Sequence, residues 1–173
     1  MMKKTDLAAV LAVARGEAPA DIVLKGGFVF NSFTGEWETG DVAIAGTTIA
    51  GIGIYSGQKE IDVTGKYVTP GLMDAHLHIE STMVAPRELA KILLLNGVTT
   101  IFADPHEIAN VLGCAGIELM LAETEDMPLD VFFMLPSCVP ATDMETGGAV
   151  LTAAKLEPLV SHERVLGLGE MMN

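Results

Sequence analysis

The sequence predicts an α/β fold: a parallel sheet of strand–helix units, (βα)3β, preceded by a small β-rich region. Three observations carry this. After Pro70–Gly71, apolar runs of strand length alternate with helix-length segments, the rhythm of right-handed βαβ units. Half of the 173 residues are hydrophobic but only 5% are aromatic, as expected where strands are covered on both faces. Between Asp21 and Thr69 the pattern is instead one of short β-type runs separated by turn residues.

Taken in order, "TDLAAVLAVAR" (residues 5–15) has a Thr/Asp start and apolar residues at helical spacing, so a short helix is expected before Gly16 and Pro19. Residues 1–20 are read as a helical appendage. Residues 21–69, with "DIVLKGGFVF", "DVAIAGTTIAGIGIY" and "EIDVTGKYVT", form the β-rich domain. Residues 70–173 carry the alternation: "LMDAHLH" then "APRELAKILLLNG", "VTTIFA" then "NVLGCAGIELMLAET", "DVFFMLP" then "LTAAKLEPLVS", and a closing strand, "RVLGLGE". No sequence repeat or low-complexity linker interrupts it.

The formal charge of −13, with no Lys/Arg cluster beyond Lys3–Lys4, argues against a nucleic acid polymer as partner. No apolar stretch approaches the ~20 residues of a membrane span, and the amino-terminal segment soon turns acidic without a cleavage site. A cytoplasmic protein with no membrane partner is expected. Cys114 and Cys138 stand in unrelated contexts and make neither a disulfide framework nor a paired-cysteine metal site.

The chemistry concentrates at strand ends. In "GLMDAHLHIE", His76 and His78 are two residues apart in a strand and so project to the same side, where two imidazoles converge on one point and suit a metal ion. "VLGLGE" ends in Glu170, a carboxylate able to bridge two ions and balance charge that neutral imidazoles cannot; a capping or solvated glutamate is the plainer alternative. In "FADPHE", Asp104, His106 and Glu107 crowd the end of the second strand, where metal ligand, orienter of a ligand and helix cap all remain open. Asp74 shares the parity of the two histidines and is expected one layer deeper, beside the ligands.

On these residues the chain resembles a known family. "VTPGLMDAHLHIESTMVAP" is similar to the first-strand signature of the amidohydrolase superfamily, and the β-rich unit resembles the sandwich domain of its urease-related members. "HIESTM", "ADPHEIANVLG", "LPSCVPATDMETGGA" and "VLGLGEMMN" together resemble the adenine deaminases of the Ade type, over residues 20–173. The resemblance implies the first half of a (βα)8 TIM-type barrel behind a small β-sandwich-type domain. It implies a binuclear centre of Mn²⁺ or Fe²⁺ in which His76 and His78 hold one ion and Glu170 bridges to the second, making these three the catalytic set. Hydroxide held there would attack C6 of adenine and expel ammonia. Asp104, His106, Glu107 and Ser137, in loops on the catalytic face, would contact the substrate. A homo-oligomer is expected.

The chain also departs from the family. The superfamily draws further histidines from strands five and six and an aspartate from strand eight, and a full barrel takes about 250 residues. His162, on the amino-terminal side of its strand, cannot substitute. The expectation is an amino-terminal fragment that requires the remaining barrel half and does not turn over adenine alone. A zinc deaminase of the H-x-E/P-C-x-x-C type is excluded: His78–Ile79–Glu80 matches the first half, but Pro136–Ser137–Cys138 lacks the second cysteine. A dihydroorotase- or deacetylase-like hydrolase, many of which use a carboxylated lysine where Glu170 stands, and a non-catalytic fragment needing complementation are the alternatives.

Overall fold

In the computed structural model, which describes residues 6–172, Asp6 caps α1 (Leu7–Ala14), its Oδ1 accepting from the N–H groups of Ala8 at 3.0 Å and Ala9 at 3.4 Å. Residues 1–5 of the expected appendage, and Asn173, lie outside the described residues. The chain divides into two units, Met1–Pro70 and Gly71–Asn173.

In the first unit β1 (Ala20–Asn31), β2 (Glu36–Ala45) and β3 (Thr48–Gly53) form an antiparallel meander. β4 (Gly57–Asp62) and β5 (Tyr67–Val68) then add parallel to β1, completing one five-stranded sheet. Asn31 shapes the first turn by accepting from Phe33 N–H at 3.0 Å and Thr34 N–H at 3.3 Å, and Gly35 supplies the positive φ of 74° that follows. Val10 and Val13 of α1 are buried with Val23, Ala43 and Ala45 of the sheet, so the helix is part of this core.

In the second unit β6 (Leu72–Leu77), α2 (Pro86–Leu95), β7 (Val98–Ala103), α3 (His106–Leu112), α4 (Cys114–Glu123), β8 (Asp130–Leu135), α5 (Ala153–Leu156) and β9 (Val165–Leu168) follow in turn. All four strands are parallel, in the order β6-β7-β8-β9. Alternation is clearest in β8, where Val131, Phe133 and Leu135 are buried on the helix-covered face with Ile101, Ala103, Ile117 and Leu121. Leu166 and Leu168 of β9 are 53% and 59% exposed, and Phe102 stacks on Phe132 with centroids 5.7 Å apart.

Two helices depart from the sequence expectation. "NVLGCAGIELMLAET" reads as one helix but is two, because Gly113 takes φ 63° between α3 and α4 and breaks the run. "LTAAKLEPLVS" yields only one turn, α5, before a short 3₁₀ segment at Glu157–Leu159, since Pro158 cannot donate within a continuing helix.

Candidate metal centre

Parallel strands place all their carboxyl ends on one edge of the sheet, and it is there that the titratable side chains gather. His76 is on the last turn of the pleat in β6, and His78 lies just beyond it. Their Nε2 atoms are 3.0 Å apart, with ring planes at 78°. Glu170, two residues past β9, straddles the pair: Oε2 is 3.6 Å from His76 Nε2 and Oε1 is 3.6 Å from His78 Nε2. A flat sheet would hold β6 and β9 about 14 Å apart with side chains side by side, so this contact requires the sheet to curl toward the histidine face.

The loop after β7 supports the triad from beneath. Asp104 is fully buried; its backbone N–H donates to Leu77 C=O at 2.9 Å, and its Oδ2 accepts from Glu170 N–H at 3.1 Å. Gly169 makes this approach possible, since a Cβ there would run into the Asp104 carboxylate. Burial pushes the Asp104 carboxyl up from its ordinary value, with the Glu170 N–H, His106 and His78 opposing. Oδ1 of Asp104 and both ring nitrogens of the buried His106 have no hydrogen-bond partner, and Asp104 Oδ1 and His106 Nδ1 face each other at 4.0 Å. These two residues and Glu170 form a second set of converging ligand atoms.

Glu107 stands apart from that set. Its Oε2 is 3.1 Å from His78 Nδ1, and its Oε1 accepts from Ser81 Oγ at 2.7 Å. Burial would raise its carboxyl, but the Ser81 hydroxyl, its own backbone N–H and His78 outweigh that and hold it below the usual range. Ser137 donates its hydroxyl to the backbone carbonyl of Glu170 at 2.9 Å. Asp74 accepts from His76 N–H at 3.1 Å, a backbone contact; a register shift between Asp74 and Leu77 interrupts the period-two count that aligned it with the histidines.

Two further residues, Glu80 and Ser81, lie in the "HIESTM" stretch but are not among the site residues expected from the sequence. Glu80 accepts from Ile108 N–H at 3.0 Å with its second oxygen buried and unpartnered, and burial raises its carboxyl. Ser81 meets Glu107 across 26 positions of sequence, a separation no periodicity reveals.

The donor set suits a cation. Two imidazole nitrogens facing each other at 3.0 Å need either a shared proton or a shared ion, and a carboxylate set symmetrically across them supplies the charge an ion requires. A wide groove of about 710 Å³, lined by Leu112–Cys114, Gly147–Leu151 and residues of the α5 region, shares no residue with the triad and holds no such convergence.

With this geometry in place, comparison with known proteins is direct. The model of the amidohydrolase family matches residues 67–172. The chain belongs to the amidohydrolase family. Adenine deaminase 2 of Carboxydothermus hydrogenoformans is 56% identical over 164 residues, 95% of this chain and 29% of that protein. The adenine deaminase of Clostridium acetobutylicum is 58% identical over 160 residues, 92% of this chain and 28% of that protein. The chain thus spans less than a third of the length of these relatives. Among solved structures, D-aminoacylase, described with a binuclear metal centre, superposes with a TM-score of 0.54 at 23% identity, covering 68% of this chain and 30% of that one. Atrazine chlorohydrolase from Arthrobacter aurescens, complexed with zinc, superposes with a TM-score of 0.59 at 16% identity, covering 85% of this chain and 46% of that one. These two likenesses concern the fold alone.

Proposed function

We propose that this amidohydrolase segment is the amino-terminal part of an adenine deaminase, which converts adenine and water to hypoxanthine and ammonia. The observation that carries the reading is the convergence of His76, His78 and Glu170 from the carboxyl ends of β6 and β9, in a sequence more than half identical to two adenine deaminases. The curl needed to bring those ends together, and the exposed Leu166 and Leu168 on the uncovered face, support a first half of a (βα)8 barrel whose remaining strands cover that face. The five-stranded unit before it, over residues 21–69, is read as one part of a sandwich-type domain.

His76 and His78 would hold an ion, and Glu170 would supply the carboxylate charge that their neutral imidazoles lack. Mn²⁺ or Fe²⁺, when bound, supplies Lewis acidity and a water that ionises near neutral pH. Asp104 fixes the backbone of Glu170 through Oδ2, leaving Oδ1 and the ring of His106 to meet the purine or the second ion. Ser137, on the same edge, holds the Glu170 carbonyl and borders the substrate. Addition of water at C6 and departure of the amine require a proton shuttle, which belongs to the later barrel strands. The working enzyme is a cytoplasmic homo-oligomer in this reading; among the described residues no helix is long and apolar enough to cross a membrane.

The test is ammonia release from adenine by the full-length protein, stripped of metal and then reloaded with Mn²⁺. Activity that returns with Mn²⁺ supports the reading. Full-length protein that is inactive on adenine with every divalent ion, yet hydrolyses an N-acyl amino acid or a dihydropyrimidine, overturns it.

A further inference from the structure

Glu107 lies among the residues expected to touch substrate, yet its two carboxylate oxygens are both engaged within the protein. Oε2 is 3.1 Å from His78 Nδ1 and Oε1 accepts from Ser81 Oγ at 2.7 Å. A carboxylate is an acceptor only, so the contact at His78 requires the proton on Nδ1. The lone pair of that imidazole is then on Nε2, the nitrogen that faces His76 and Glu170. One ring nitrogen fixes the other.

We propose that Glu107 is a positioning residue for the metal ligand His78, itself anchored by Ser81, and is not a substrate contact. The assignment rests on reading His76, His78 and Glu170 as metal ligands. Local structure favours the role. His78 follows the end of β6 and has no further strand pairing to orient it, whereas Glu107 is in the first turn of α3, which is itself tied back to the β6 side by Glu80 accepting from Ile108 N–H at 3.0 Å. Ser81 sits in the 3₁₀ turn Glu80–Thr82, which begins two residues after His78. The three side chains therefore form a closed connection between the end of β6 and the start of α3, and His78 is its only member that reaches the triad. His78 is also the more enclosed histidine, its side chain 21% exposed against 47% for His76, so it has less water to take over if Glu107 is lost.

The experiment uses the full-length deaminase with Mn²⁺ as the probe, its affinity measured by competition with a chelating dye, alongside kcat and KM for adenine at saturating Mn²⁺. Glu107→Ala is expected to weaken Mn²⁺ binding by roughly 10- to 100-fold, with KM for adenine changed less than about twofold once metal saturates. Glu107→Gln, whose amide oxygen still accepts from Nδ1–H, is expected to recover most of that affinity, and Ser81→Ala to weaken it by only about threefold. The Glu107 side chain is 45% exposed, so the metal-free variants should unfold at the wild-type temperature, which separates positioning from a general loss of structure. Wild-type Mn²⁺ affinity in Glu107→Ala, with KM raised tenfold, overturns the assignment and makes Glu107 a substrate contact. A wild-type protein that binds no Mn²⁺ overturns the underlying metal-site reading as well, so the two failures are told apart by the wild-type titration.

Discussion

Asp41, within β2, and Asp104, just past the end of β7, are both buried carboxylates, and they are treated in opposite ways. In the first unit Asp41 accepts from Lys25 Nζ at 2.7 Å, Gly26 N–H at 3.0 Å and Tyr55 N–H at 3.0 Å. Burial works against its ionised form, but Lys25 and the two backbone donors prevail and its carboxyl is held below the ordinary value. Asp104 accepts from Glu170 N–H through Oδ2, its Oδ1 has no hydrogen-bond partner among the described residues, and burial raises its carboxyl. A buried polar group left short of partners costs stability, and such groups cluster where a ligand completes them. The contrast is between a carboxylate whose partners are supplied within its own unit and one that keeps an unpartnered oxygen in the proposed ligand site.

The largest effect that would break this contrast is at the ligands. His76→Ala in the full-length protein should abolish tight Mn²⁺ binding and cut deamination by on the order of 10³-fold or more, because the ion loses one of the two imidazoles that this segment supplies to it. Retained metal stoichiometry, measured by elemental analysis after gel filtration, would refute the ligand role. Next in size is Asp104→Asn, which should lower activity by roughly 10²-fold while leaving thermal stability of the metal-free protein within about 1 kcal/mol of wild type. A large loss of stability there would show that Asp104 is structural, like its counterpart.

Asp41→Asn should do the reverse. Removing the charge that faces Lys25 and weakening acceptance from Gly26 and Tyr55 should destabilise the first unit by about 2–3 kcal/mol, read from denaturant unfolding, without altering Mn²⁺ affinity. The pH dependence sharpens the point. Because the folded pKa of Asp41 is depressed, its contribution is fully present above the unfolded value near 4 and is lost as pH falls through the lower folded value. Wild-type stability should therefore drop across that acid window, and Asp41→Asn should flatten part of the slope. Parallel curves for the two proteins would contradict the assignment.

How much of this was legible in the sequence follows from which interactions are local. His76 and His78 could be read because strand geometry alone sets a period of two, and Glu170 because it ends an apolar run. The parallel alternation could be read from segment length. For Asp74 the parity count is interrupted by the register shift between Asp74 and Leu77, which the sequence does not mark. The helix break at Gly113 and the shortened α5 depend on one φ value and one proline within otherwise helical patterns. The Ser81–Glu107–His78 connection joins the segment after β6 to the first turn of α3, which only the packing of β6 beside β7 brings together, so no spacing rule reaches it.

The smallest effect tests whether the first unit is as purely structural as Asp41 suggests. Helix α1 has only eight residues, too few to be stable alone, and it persists through the burial of Val10 and Val13 and through Asp6, whose carboxylate satisfies two of the amide donors at its start. The negative charge also faces the positive end of the helix dipole. Asp6→Ala should cost about 1 kcal/mol, and Asp6→Ser should recover most of it, because a hydroxyl still accepts from the same amides while the charge is gone. Neither change should alter Mn²⁺ affinity or KM for adenine in the full-length protein. Unchanged stability in Asp6→Ala would mean that packing of the two valines alone holds the helix. A shift in metal affinity would mean that the two units are energetically coupled, and the division of labour drawn from the two buried aspartates would have to be given up.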